Sequence, residues 1–180
     1  VIVFWDDVFT MNLKWAEEFA EKYKQEIDLP FWCYTHPKSS KPEVLEVLRK
    51  AGMLYIFMGI QTGNDKTRKV MGRIESSRDV INSAKKIHSL RKVPYKNYKS
   101  ALFVTYDIIL DNPYESKDDL TETLKLLNEM PRGYSLNLFT LSFFPNYPLT
   151  EQFLKDGLIK PNAVDGINKT EITETNEVQN

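Results

Sequence analysis

Apolar residues in this chain come in short runs separated by stretches of helical period, and the alternation repeats along the sequence. Residues 1–5, Val-Ile-Val-Phe-Trp, form the first run and read as a strand. Asn12 then stands where a helix needs a cap. Leu13, Ala16, Phe19, Ala20, Tyr23 and Ile27 follow on one face of a helix over residues 12–27. Residues 29–34 read as a second strand, and Pro42 opens a short helix with Val44, Leu45 and Leu48 inward and Gly52 as its stop. Residues 54–60 are apolar without a break, which predicts a strand in a sheet covered on both faces.

The second half continues the pattern. A brief helix is expected over residues 65–70, and a longer one capped by Ser76 or Ser77 carries Val80, Ala84, Ile87 and Arg91 inward. Residues 102–110 form a fourth strand. Ser116-Lys117-Asp118-Asp119 looks like a capping box for a helix over 120–130, which Pro131 ends. Residues 136–144 read as a fifth strand and 149–155 as a last short helix before Gly157. Five strands joined by helical connections predict an α/β fold of consecutive βαβ units with parallel strands. An incomplete TIM-like (β/α) barrel and an open doubly wound sheet both satisfy that order. Neither G-x-G-x-x-G nor G-x-x-x-x-G-K-[ST] occurs, so the sequence gives no nucleotide-fold support to the open sheet.

With 180 residues, the chain is expected to form one domain over residues 1–160. The polar stretch 161–180 reads as a tail or the start of a missing segment. A net charge of -1 leaves no basic footprint for nucleic acid, and the cluster Lys85, Lys86, Arg91, Lys92, Lys96 and Lys99 reads as a solvated helix face and its loop. No apolar run approaches the roughly 20 residues that span a membrane, so a cytoplasmic protein without a membrane partner is expected. Cys33 is the single cysteine, which excludes an internal disulfide and a cysteine-rich metal or iron–sulfur site built by this chain alone. Val1 opens in mid-strand, and the chain reads as a fragment whose barrel is truncated at its N-terminus.

Candidate chemistry lies at the strand ends. Asp107 closes an apolar strand, where a carboxylate is costly without a partner, and in βα-repeat folds ligands bind at the C-terminal ends of strands. Alternation puts Asp107, Ile109 and Asp111 on one face. The matching positions elsewhere are Asp6 or Asp7, Tyr34 or His36, Gln61 and Ser142. Asp6, Asp7 and His36 also offer a carboxylate–imidazole set for a metal-dependent barrel hydrolase or lyase.

Four segments then resemble one family. Phe57-Met58-Gly59-Ile60-Gln61-Thr62-Gly63 is similar to the fourth-strand segment of radical S-adenosylmethionine (SAM) enzymes, and Val70-Met71-Gly72-Arg73 to the (M/I)-x-R after it. Residues 107–115, Asp-Ile-Ile-Leu-Asp-Asn-Pro-Tyr-Glu, resemble the fifth-strand segment, and residues 141–149 the sixth. The wording of residues 4–10, Phe-Trp-Asp-Asp-Val-Phe-Thr, looks most like the cobalamin-binding subgroup.

The resemblance implies a partial (β/α) barrel whose complete protein cleaves SAM at a [4Fe-4S] cluster, for radical chemistry or cobalamin-assisted methyl transfer. Gln61, Arg73 and Asp107 would hold SAM, Arg73 through the methionine carboxylate. Asp6 and Asp7 stand where the family has Gly-Gly-Glu, Tyr34 where it often has Glu, and Asp111 where many members have Gly. The cluster ligands and any cobalamin domain would lie outside this chain. Its expected partners are a small-molecule or peptide substrate and the missing N-terminal part of the same protein. The alternative to catalysis is a stand-alone βα binding or scaffold domain.

Overall fold

The computed structural model describes residues 1–96 and 102–164. Lys99 of the lysine cluster and residues 165–180 of the polar tail lie outside them. Five strands, β1 (Ile2–Val3), β2 (Phe31–Thr35), β3 (Met53–Gln61), β4 (Phe103–Ile109) and β5 (Ser135–Phe139), form one sheet in the order β1-β2-β3-β4-β5. Every neighbouring pair is parallel. A doubly wound sheet reverses its strand order at a switch point, whereas here each strand lies beside its predecessor, as in an arc of a β/α barrel.

The crossovers are α1 (Leu13–Glu26), α2 (Pro42–Ala51), α3 (Asp65–Val70) with α4 (Ser77–Ser89), and α5 (Lys117–Glu129), and α6 (Pro148–Lys155) follows β5. Local chemistry sets their limits. The Asn12 side chain accepts from the Trp15 amide at 3.1 Å. Ser76 and Ser116 each form a reciprocal capping box, with Asp79 and Asp119. Gly52 ends α2 at φ 126°, where a side chain would also press on the Leu29 carbonyl.

A single core lies between the helices and one face of the sheet. Phe31 and Cys33 of β2, Ile56, Met58 and Ile60 of β3, and Val104, Tyr106 and Ile108 of β4 pack there against Ala16, Leu45, Leu48, Val80, Ala84, Ile87 and Leu126. Alternate residues emerge on the opposite face and remain half-buried, so the uninterrupted apolar run of β3 does not mean cover on both sides. Aromatic rings occupy that face instead. Trp32 and Phe57 have centroids 4.7 Å apart, and Tyr55 stacks on Phe103 at the same separation.

Several expected features are corrected. β1 pairs over two residues rather than five, and β5 ends at Phe139, so residues 140–144 leave the sheet. Leu13 and Ile27 lie on the helical stripe yet are 37% and 49% exposed, being the first residue and the C-cap of α1. Arg91 falls in the 3-10 turn after α4 and donates to the Arg132 and Gly133 carbonyls instead of facing inward. Ahead of α2, Ser39 and Ser40 join Thr10 and Thr35 in a hydroxyl network, with Thr10 Oγ1 2.6 Å from Thr35 Oγ1 and 2.8 Å from Ser39 Oγ.

Candidate functional site at the C-terminal strand ends

At the C-terminal ends of β1–β4, on the face away from the helices, Trp5, Asp7, Tyr34, Thr35, His36, Gly59, Gln61, Arg73 and Asp107 line a cleft of about 310 Å³. Ligand pockets begin near this size. Five of the six side chains singled out for SAM therefore converge: Gln61, Arg73, Asp107, Asp7 and Tyr34. Asp6 does not line the cleft.

The end of β3 is built around a bulge. Gly59 pairs with Asp107 and Gln61 with Ile108, so one residue is skipped. Gln61 takes φ 68°, a left-handed conformation that costs a non-glycine residue and recurs at functional sites. Its side chain folds back over Gly59, where a Cβ would lie 2.5 Å from Gln61 Nε2. Glycine is thus required at 59 for Gln61 to adopt this pose. Gly63 has a different reason: a Cβ there would come within 2.3 Å of the Thr123 backbone, and its amide donates to Thr123 Oγ1 at 2.7 Å.

The two motif segments interlock through the same turn. The Thr62 hydroxyl donates to the Glu115 carboxylate, and Asn64 Nδ2 reaches Asp119 and Glu122 at 2.8 and 2.6 Å. Fully buried Arg68 donates to the Thr62 carbonyl at 2.6 Å and to Asp65 at 2.6 Å. Thr62, Asn64, Arg68 and Glu115 therefore hold the turn that follows Gln61.

Asp107 finds its partner on the next strand. Asn137 of β5 donates to Asp107 Oδ1 at 2.9 Å. Burial nonetheless raises the Asp107 carboxyl above its ordinary value, and the Asn137 bond only moderates this. Asp111 does not continue the cleft face, because β4 ends at Ile109; its carboxylate accepts from the Leu141 amide at 2.6 Å. Burial, with the Asp107 charge second, also raises the Tyr34 hydroxyl.

Arg73 lies in the turn between α3 and α4. Its Nη2 donates to the Gly59 carbonyl at 2.7 Å and its Nε to Glu75 Oε1 at 2.5 Å. A guanidinium has five N–H donors, so these two bonds leave three for a ligand. The side chains fit SAM on this count, since a carboxylate can use the free Nη edge of Arg73 while Asp107 and Gln61 face polar groups.

Glu75 went unnoticed in the sequence reading. It is 3% exposed, and its second oxygen lies 3.3 Å from His36 Nε2. Burial pushes the Glu75 carboxyl up, but its own backbone amide, Arg73 and His36 together bring it below the ordinary value. The only sequence cue is an acidic residue two places after Arg73 and directly before the Ser76 cap. His36 Nδ1 accepts from the Lys38 amide at 3.2 Å, and burial lowers its pKa.

These contacts leave His36 poorly placed as a metal ligand, and among the described residues no three His, Cys, Asp or Glu side chains group as a metal site. The Asp6, Asp7 and His36 alternative is therefore corrected. Cys33 is fully buried on the helix side with its Sγ 3.6 Å from Met53 Sδ, and burial raises its thiol far above the ordinary range. As the single cysteine it does not fit a [4Fe-4S] cluster.

Comparison with known proteins gives a consistent picture. The model of the Radical SAM superfamily matches residues 1–127. The tRNA-2-methylthio-N(6)-dimethylallyladenosine synthase of Staphylococcus haemolyticus is 33% identical over 111 residues, which are 58% of this chain and 20% of that protein. The ribosomal protein uS12 methylthiotransferase RimO of Thermosipho melanesiensis is 29% identical over 104 residues, 56% of this chain and 22% of that protein. The match thus spans about a fifth of the length of these relatives.

Among solved structures, coproporphyrinogen III oxidase of Escherichia coli, described as a Radical SAM enzyme, superposes with a TM-score of 0.58 at 17% identity, covering 86% of this chain and 33% of that one. The radical SAM methyltransferase TsrM of Kitasatospora setae, solved with cobalamin and a [4Fe-4S] cluster, gives 0.56 at 15% identity, covering 80% and 27%. At these identities the likeness concerns the fold.

Proposed function

This chain belongs to the Radical SAM superfamily, and we propose that its cleft holds SAM and presents it to substrate within the complete natural protein. The observation that carries this reading is the convergence of Gln61, Arg73 and Asp107, from three separate segments, on one cleft at the strand ends. When bound, SAM supplies a sulfonium whose carbon–sulfur bonds can be cleaved to a radical or give up a methyl group. Arg73 takes the carboxylate end of SAM through its free Nη edge, a charge-assisted contact. Asp107 accepts from a ribose hydroxyl or the ammonium group, and Gln61 supplies a donor and an acceptor beside it. Asp7 and Tyr34 close the side of the cleft toward β1 and β2.

The substrate is a small molecule or a peptide, in keeping with a net charge of -1 and no basic stripe. The sequence relatives named above are methylthiotransferases, which favours transfer of a methyl or methylthio group as the outcome. A cobalamin-dependent variant is supported by the segment 4–10 and by the fold shared with TsrM. With Cys33 as the single cysteine here, the cysteine ligands of the cluster would come from residues beyond this chain.

The test is to incubate the anaerobically purified, complete natural protein with SAM and a strong reductant and to measure 5′-deoxyadenosine and methylated product. Formation of either, lost on R73A or D107A, is the expected result. A protein that neither binds nor consumes SAM under these conditions contradicts the reading.

A further inference from the structure

Beside the cleft, in contact with two of its residues, lies a charged side chain that does not line it. Glu75 has a side chain with no exposed surface, and it sits between two cleft residues, Arg73 and His36. A buried carboxylate is costly, and it persists only where it is paired. Here the partners lie on one side each: Oε1 takes the Arg73 Nε at 2.5 Å, and Oε2 lies 3.3 Å from His36 Nε2. Because His36 Nδ1 accepts from the Lys38 amide, the ring proton belongs on Nε2, which packs 3.3 Å from Glu75 Oε2 without forming a hydrogen bond to it.

Arg73 needs such a partner. It lies in the turn after α3, beyond the strand ladder, and its neighbour Ile74 is 83% exposed. Its backbone amide is fixed by the Arg68 carbonyl at 2.9 Å, but a long side chain from a turn is otherwise free to swing. Two contacts restrain the guanidinium: the Glu75 carboxylate on Nε and the Gly59 carbonyl on Nη2. Together they occupy one edge and turn the Nη1 side outward. Gly59 is also the residue over which Gln61 folds, so the same pair sets the spacing between Arg73 and Gln61.

We propose that Glu75 is a positioning residue: held against His36, it orients Arg73 so that the free guanidinium edge meets the carboxylate of an amino-acid-bearing ligand. This rests on the reading of the cleft as a SAM site. A residue that merely stabilised the fold would affect every ligand of the cleft alike. One that aims Arg73 affects only ligands that carry the carboxylate.

The experiment compares SAM with its decarboxylated analogue, by calorimetric titration of the complete natural protein. The wild type should bind SAM more tightly than the analogue. E75A should weaken SAM on the order of 10- to 100-fold, the scale of a lost charge-assisted contact, while the analogue stays within about twofold. E75Q keeps an oxygen for Arg73 Nε and nearly the same volume, so it should recover part of the SAM affinity. It also carries the test should E75A fail to fold. In an R73A background, E75Q should add no further loss.

Equal weakening of both ligands, or SAM affinity unchanged in E75A and E75Q, overturns the role of Glu75 and leaves the SAM site standing. A wild type that binds neither ligand overturns the SAM site and this role with it.

Discussion

The ionised Asp107 carboxylate carries a cost to folding. Asn137 is its hydrogen-bonding side chain among the described residues, and burial raises its carboxyl. An acid whose folded pKa lies above its unfolded value binds more protons folded than unfolded. Its ionisation therefore works against the fold as pH rises through about 4, the unfolded value, toward the folded one. The opposing contribution is complete once the pH is above the folded value. D107N keeps an acceptor for Asn137 and removes the charge. Thermal melts at pH 7 should show it as stable as the wild type or more so, while SAM binding falls; a clear drop in melting temperature would show that the charge supports the fold. Asp107 could be read as a partner-seeking carboxylate from its place in an apolar run. Glu75 could not, because its significance lies in His36 and Arg73, 39 and two positions away, which only the folded chain brings together.

The helices were legible where their ends carry chemistry, and the strands were legible where helices cover them. Asn12, Ser76 and Ser116 all cap as their spacing implies, each meeting a backbone amide within three residues. β3 and β4 likewise follow their apolar runs within two residues. β1 and β5 are the strands misjudged. Both lie at an edge of the sheet, where pairing on one side only lets the chain leave early, and 140–144 is led away to the Asp111 carboxylate. Residues 1–5 are as uninterruptedly apolar as the central run 54–60, so composition could not show where β1 ends.

The capping box of α4 also lends itself to test. Ser76 anchors Asp79, whose carboxyl is held far below its ordinary value by the Ser76 backbone amide first and by Lys38 next. S76A should cost about 1 kcal/mol, or roughly 2–4 °C in melting temperature for a domain of this size. With a depressed folded pKa, the Asp79 contribution is complete above pH ~4 and is lost as pH falls below that. The folded-state Asp79 stays ionised well into acid, so the wild-type advantage over S76A should persist from pH 7 to about pH 4; an S76A melting temperature equal to the wild type at pH 7 would contradict this account of the cap.

The sequential order of five parallel strands arranges all the chemistry at one end of one sheet face. The helices and the apolar core lie behind that face, and aromatic rings line it below the cleft. This arrangement, not any single motif, distinguishes an arc of a barrel from an open nucleotide-binding sheet. Both were compatible with the order of elements along the sequence, and strand adjacency decided between them. Leu136 and Leu138 of β5 are 39% and 57% exposed. The edge strand therefore presents apolar side chains.

On the proposed reading Gln61, Arg73 and Asp107 form a single ligand site. The decisive measurement is calorimetric titration of SAM into the complete natural protein, compared with Q61A, R73A, D107A and the triple variant. If the three act on one ligand, each single substitution weakens SAM and the triple variant shows no measurable binding, with the fold intact by circular dichroism. Undiminished SAM affinity in the folded triple variant would place the site elsewhere.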